Sequence, residues 1–184
     1  ASSTAGGAEA TDADSAEAAE LISLLEARAA LPGSWSERGP LMDGVWEQIW
    51  TDNPQAGTVW GNGRFSRRTL KGPISGRVQQ VVRYTAQPLR FEYAQRARAR
   101  LFLGLQAELR ATVDPQPDGV TWEVAFSDFG WSLLFGRLPL RRRKKLPPGG
   151  GGQWRTTYLD ENTRILRSQG RRSGPPTTYV LMKA

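Results

Sequence analysis

The chain has no histidine and no cysteine in 184 residues. Those two absences remove the usual general base near neutral pH, thiolate nucleophiles, disulfides and Cys/His zinc sites. Any catalysis would have to rest on carboxylates, hydroxyls, lysine or an oxygen-ligated metal, and no metal-ligand spacing stands out. The unplaced acids Asp43, Glu123 and Asp128 are all that such an enzyme could draw on. Long hydrophobic runs are also missing, so no segment approaches the ~20 apolar residues of a membrane-spanning helix. No phosphate-binding glycine loop is present either. "GNGRFS" lacks a strand-to-helix context, and the four glycines at 149–152 read as a flexible linker.

Negative charge is scarce outside the first residues. Residues 1–27 carry six carboxylates and no Lys or Arg, which leaves 25 basic and 12 acidic side chains, a net +13, to residues 28–184. A basic body suits phosphates, anionic lipid or an acidic partner, although an arginine-rich composition can equally reflect a GC-rich genome and a solvated surface. The chain opens at Ala1, as a processed or trimmed form would. Residues 1–13 form a small, acidic tail too poor in apolar surface to fold alone.

What is present in abundance is period-two alternation. Residues 14–30 predict one helix, capped by Asp14 with Glu17 completing a capping box, carrying Leu21, Leu24 and Leu25, and stopped by Pro32-Gly33. From Val45 the pattern becomes that of strands. In Arg100–Val113 every odd position from Leu101 is apolar, through Leu103, Leu105, Ala107, Leu109 and Ala111, so these should share one buried face. Asp118-Gly119 turns the chain into Val120–Ser127, and similar runs lie at 45–51, 77–84, 89–93, 154–159, 164–167 and 177–183. Thr58–Leu70 reads as a further strand or hairpin. Eight or nine strands with hairpin-length connections predict a mainly β protein: an antiparallel barrel over about 41–184 with one N-terminal helix, a two-sheet sandwich fitting nearly as well. The whole of 14–184 reads as one domain, with a basic, Gly-rich insertion at 141–152.

Aromatic residues supply candidate ligand contacts. Trp46, Trp50, Trp122, Phe126, Trp154 and Tyr158 fall in the strands, where they either fill a core or line an apolar pocket. "FGWSLLFGRLPLRRRKKLPP" joins apolar residues, Trp131 among them, to Arg141, Arg142, Arg143, Lys144 and Lys145. That run reads first as a solvated loop, and closely second as a contact with a membrane or an acidic protein surface. Nucleic acid ranks far behind, since no nucleic-acid-binding motif occurs. Between the last predicted strands, Asp160 opens a tight turn. Its carboxylate is expected to fix the hairpin register through charge-assisted bonds from Arg164 and from Arg155 or Arg167.

Around that turn, "WRTTYLDENTRILR", followed by Gly170 and the terminal "TYVLMK", resembles the C-terminal signature of the plastid lipid-associated proteins, also called fibrillins or plastoglobulins. The likeness runs through Trp154, Thr156, Thr157, Tyr158, Leu159, Asp160, Glu161, Arg164, Ile165, Arg167, Gly170, Tyr179, Val180 and Leu181. "LMDGVWEQIWTD" is similar to the family's opening strand, "LISLLEA" to its leading helix, and "GRVQQVV" with "LRF" to an intervening strand pair. The sequence departs from the family at "LPGSWSERG", where a second helix is missing or shrunken, and in the insertion "RRRKKLPPGGGGQ" and the long last turn "SQGRRSGPP". The resemblance implies a lipocalin-like barrel without catalytic activity or a fixed cofactor. It implies binding of lipids or isoprenoids such as carotenoids and quinones, and a chloroplast location on thylakoids or plastoglobules after loss of a transit peptide. Docking on a large photosynthetic membrane complex, with the barrel as scaffold, is the alternative.

Overall fold

The computed structural model describes residues 12–29, 31, 33–52, 77–99, 105–133, 141–170 and 175–184. The acidic tail up to residue 11, the expected strand at 58–70, and Leu101 and Leu103 lie outside that set.

Among the described residues two helices precede the strands, where one was expected. Helix α1 spans Asp12–Arg28, so Asp14 and Glu17 lie within it rather than forming its cap and capping box, their charges favouring its N-terminal end. Helix α2, Trp35–Met42, occupies the stretch expected to hold no more than a remnant. Its start is a complete capping box: Glu37 N–H donates to Ser34 Oγ at 3.3 Å, and Ser34 N–H donates to Glu37 Oε2 at 3.1 Å. Pro40 sits inside α2, but a helix this short has few internal backbone bonds for a proline to remove.

Nine strands follow among the described residues: β1 Gly44–Thr51, β2 Arg77–Thr85, β3 Arg90–Ala99, β4 Leu105–Pro115, β5 Thr121–Ser132, β6 Arg141–Lys145, β7 Gly151–Leu159, β8 Thr163–Gly170 and β9 Thr177–Lys183. All belong to one antiparallel sheet. Its pairings run β1–β2–β3–β4–β5–β7–β8–β9 and return to β1, so eight strands bond in a closed ring. Among the described residues the strands do not divide into two separate sheets, as a sandwich would. On β4 the expected alternation holds: Ala107 and Ala111 are buried, Leu109 and Val113 partly so, and Arg110 and Thr112 exposed. The core cluster draws on every strand of the ring, and Trp35 and Met42 of α2 join it.

The region expected as a basic, flexible insertion is largely strand. β6 pairs with the Asp128–Ser132 half of β5, whose other half pairs with β7, so β6 and β7 share one edge of β5. Lysine is a poor strand former, and besides its ladder to β5 the strand β6 is fastened by ion pairs of Arg143. One Glu108 carboxylate accepts from Arg96 at 2.9 Å, Arg110 at 2.8 Å and Arg143 at 2.7 Å, while Arg143 also donates to Asp128 at 3.0 Å. Gly130 lies between them and keeps the path open, since a Cβ there would come within 3.0 Å of the Arg143 side chain. The supposed glycine linker also ends in β7. A Cβ on Gly151 would lie 1.9 Å from the Val124 carbonyl oxygen, so only glycine lets the two backbones approach.

Helix α1 is attached by few contacts. Ile22 is buried, whereas Leu21, Leu24 and Leu25 remain exposed. Glu26 forms a two-bond pair with Arg167 of β8, accepting from Nε at 2.8 Å and from NH2 at 2.7 Å. The Arg167 bond holds the Glu26 carboxyl below its ordinary pKa against the opposing effect of burial, with a bond from Thr157 adding to it. A depressed carboxylate pKa means that this contribution is complete above the ordinary glutamate range and is lost as pH falls through the folded value. Glu26→Gln should therefore raise hydrogen–deuterium exchange throughout α1 at neutral pH, costing about 1 kcal/mol or less of stability because the pair is part-exposed. Acidification of the unaltered protein should reproduce that loss of protection, while β7–β9 stay protected in both cases.

Candidate functional site

The inward face of the ring is aromatic. Trp46, Trp122 and Trp154 are almost fully buried in one cluster, and Phe126 packs against it. Trp122 stacks on Trp35 at 6.2 Å and meets Phe91 at 5.1 Å, while Trp154 meets Tyr93 edge-on at 5.0 Å and Phe126 at 6.1 Å. The Trp35 indole donates to Gln116 O at 2.7 Å and Arg38 donates to Gly119 O, which ties α2 to the β4–β5 turn over Trp122.

Four of the six expected lining residues thus come together, and two do not. Trp50 and Tyr158 are only part-buried and stand outside the cluster. The cause is a bulge in each strand. Between Gln48 and Trp50 the β1–β9 register shifts, so Thr51 is buried and Trp50 falls opposite Val180. Between Thr156 and Tyr158 the β7–β8 register shifts likewise, so Leu159 takes the inward place opposite Arg164 and Tyr158 falls opposite Ile165. One extra residue reverses every later side chain.

The interior also holds polar groups that sequence reasoning did not place there. Arg164 is fully buried, with its guanidinium carbon 4.8 Å from the centre of the Trp122 ring. Its Nε donates to Thr156 Oγ1 at 3.3 Å, but NH1 and NH2 find no partner among the described residues. Burial pushes its pKa down to about 10, so it remains a cation at neutral pH. The Tyr93 hydroxyl, the Trp122 indole N–H and the side-chain oxygens of Gln48 and Gln80 are likewise buried without partners among the described residues. Burial drives the Tyr93 hydroxyl pKa strongly upward, so it stays protonated and able to donate. A cation over an aromatic face gains about 2 kcal/mol, less than the several kcal/mol of burying an unpaired charge. The alternation Arg164-Ile165-Leu166, with Leu166 in the core, was the signal that pointed Arg164 inward.

Asp160 does not bond the arginines as expected. It closes its own turn, accepting from Asn162 N–H at 2.8 Å, Thr163 N–H at 2.6 Å and the Tyr158 hydroxyl at 2.8 Å. Arg164 turns into the interior and Arg167 goes to Glu26, so the signature residues serve three separate contacts. Leu159 and Ile165 are buried. Of the other acids, Asp43 accepts from Tyr84 N–H at 2.9 Å, Glu123 from Gln153 at 2.7 Å, and Asp128 from Arg143. Among the described residues no three carboxylates converge on a metal-sized site, and no helix is long and apolar enough to cross a membrane.

In the basic strand Arg142, Arg143, Lys144 and Lys145 are exposed; for Arg141 only the backbone is described. Trp131 is 37% exposed and pairs with Arg142 across the β5–β6 ladder. Comparison with family models, with curated proteins and with solved structures finds no match.

Burial opposes ionisation of Asp160, but the bonds from Tyr158, Asn162 and Thr163 hold its carboxyl below the ordinary value. Asp160→Ala should cost about 1–2 kcal/mol in urea unfolding and Tyr158→Phe about 1 kcal/mol or less. The Asp160 contribution should be complete above the ordinary aspartate range and fade as pH falls through the folded pKa, so the two proteins should converge in stability at low pH.

Proposed function

We propose that the ring of strands is a lipocalin-like antiparallel barrel and that the protein is a non-enzymatic, fibrillin-like plastid lipid-associated protein. In this reading it binds prenyl lipids, carotenoids or quinones and associates with thylakoids or plastoglobules. The observation that carries the reading is the closed eight-strand ring around an aromatic interior formed by Trp46, Trp122, Phe126 and Trp154. At about eight strands such an interior is wide enough for side chains or one small ligand. The test is organic extraction of the protein purified from its native membrane, followed by analysis of the extract. Recovery of a prenyl lipid or pigment in near-stoichiometric amount is the expected result, and a clean extract would remove the reading.

A second reading has its own support. Trp46, Val82, Val124, Leu166 and Leu181 are fully buried, as in a filled core, while Leu21, Leu24, Leu25, Ile49 and Met182 are exposed outside it. A filled ring with an apolar exterior suits an accessory subunit docked on a thylakoid protein complex. A clean extract together with co-migration of the protein in a large complex would favour this alternative.

Under either reading β6 is the proposed contact with a negative surface. Arg143 is bound to Glu108 and Asp128, so the test leaves it in place. Replacing Arg142, Lys144 and Lys145 with Ser should weaken sedimentation with anionic liposomes of thylakoid-like composition, and raising the salt to about 0.5 M should mimic the substitution. Binding that survives both would leave β6 as solvated surface only.

A further inference from the structure

We propose that Arg164, with Tyr93 and Trp122, is the headgroup site for the carboxylate of an apolar monocarboxylic acid held within the ring. The proposal rests on the reading above only in that the ring holds an apolar ligand, and it gives that ligand an acidic headgroup that carotenoids and quinones lack. Arg164 NH1 and NH2, the Tyr93 hydroxyl and the Trp122 indole N–H are all donors, all buried, and all without an acceptor among the described residues. A buried polar group without a partner is the exception in folded proteins and calls for an explanation. Two unmatched acceptors, the side-chain oxygens of Gln48 and Gln80, are buried as well, but the donors gather around Arg164. Arg164 lies over Trp122, and Tyr93 is near enough to Arg164 for each to influence the ionisation of the other.

Charge and valence select the occupant. No carboxylate among the described residues pairs with Arg164, so the interior carries one uncompensated positive charge. A monoanion neutralises it, whereas a phosphate dianion would leave a net negative charge among aromatic walls. A quinone carbonyl accepts hydrogen bonds but leaves the cation unbalanced. A carboxylate presents two oxygens to the two parallel N–H groups of a guanidinium, the pairing that this planar fork favours, and its remaining lone pairs suit the Tyr93 hydroxyl. The rest of such a molecule must be apolar, because Phe91, Trp154 and Phe126 surround the donors through Trp122 and Tyr93.

The probes are oleate, oleyl alcohol and a neutral prenylquinone, each titrated below its aggregation concentration into delipidated protein by calorimetry and tryptophan fluorescence. Oleate should bind at least about tenfold more tightly than the alcohol, the difference expected of a charge-assisted hydrogen-bonded pair. Arg164→Met should abolish that difference while leaving the alcohol unchanged, and Tyr93→Phe should reduce it by a smaller factor. If Arg164→Met fails to fold, the acid-to-alcohol ratio of the unaltered protein and the Tyr93→Phe variant still decide. The carboxyl carbon of bound 13C-labelled oleate should titrate below its free value. Equal binding of acid and alcohol would overturn the headgroup site and leave the apolar-ligand reading standing. Binding of none of the three probes would overturn both.

Discussion

The pairing of β1 with β9 is the contact on which the ring depends. The other ring pairings join strands adjacent in sequence, or separated only by β6, whereas this one brings Trp46 opposite Lys183 and Thr51 opposite Tyr179. Without it the sheet would end in two open edges, each a template for unwanted association. Several contacts reinforce it. Ala184 N–H donates to Val45 O at 2.9 Å, and the Asp52 carboxylate accepts from Thr178 N–H at 2.9 Å. The Lys183 ammonium lies over the Trp46 ring at 5.2 Å and donates to Leu41 O at 3.1 Å, which links the last strand to the end of α2. Closure therefore fixes the first strand, the last strand and the α2 helix that covers Trp122 as a single unit.

That closure explains why polar side chains inside the ring matter so much. A half-open sheet would let Arg164 reach water, but a closed ring with α2 across it keeps the guanidinium among aromatic rings. The stack of Trp35, Trp122 and Arg164 gives it one favourable face and one hydrogen bond to Thr156. The outer arginines are treated differently. Arg96, Arg110 and Arg143 share Glu108, and Arg167 has Glu26. The sequence is generous with partners on the outside and withholds them within. Such an arrangement is costly for a merely structural core, since a hydrophobic residue of similar volume would serve as well or better.

Much of the architecture was legible in the sequence, because period-two alternation is a direct record of which face a strand buries. It located β1, β2, β5, β7, β8 and β9, and the inward Trp46, Trp122 and Trp154. It failed where the record is interrupted. A bulge leaves no mark in composition, so Trp50 and Tyr158 were grouped with the lining aromatics although a register shift just before each turns it out of the cluster. The α2 capping box, Ser34 to Glu37, was there to be read, but Pro32-Gly33 before it was read only as the stop of the first helix. β6 was illegible for a different reason: five consecutive basic residues have no strand pattern, and their partners Glu108 and Asp128 lie on other strands.

The signature turn shows how far a short motif can inform chemistry. Residues 155–167 were read as one electrostatic unit, with Asp160 bonded by Arg164 and by Arg155 or Arg167. In the fold the unit separates into three. Asp160 satisfies backbone donors of its own turn, as a short acid at a hairpin does without any cation. Arg167, on the outward face, fastens α1. Arg164, three residues away, has the opposite parity and enters the interior, where the same side chain type meets no acid among the described residues. Identical residues in one eight-residue strand therefore carry opposite physical burdens, one a solvent-screened ion pair and the other a desolvated cation. The difference comes from the pleat alone, which is why the interior arginine, and not the acidic turn beside it, is where a ligand's charge would matter most.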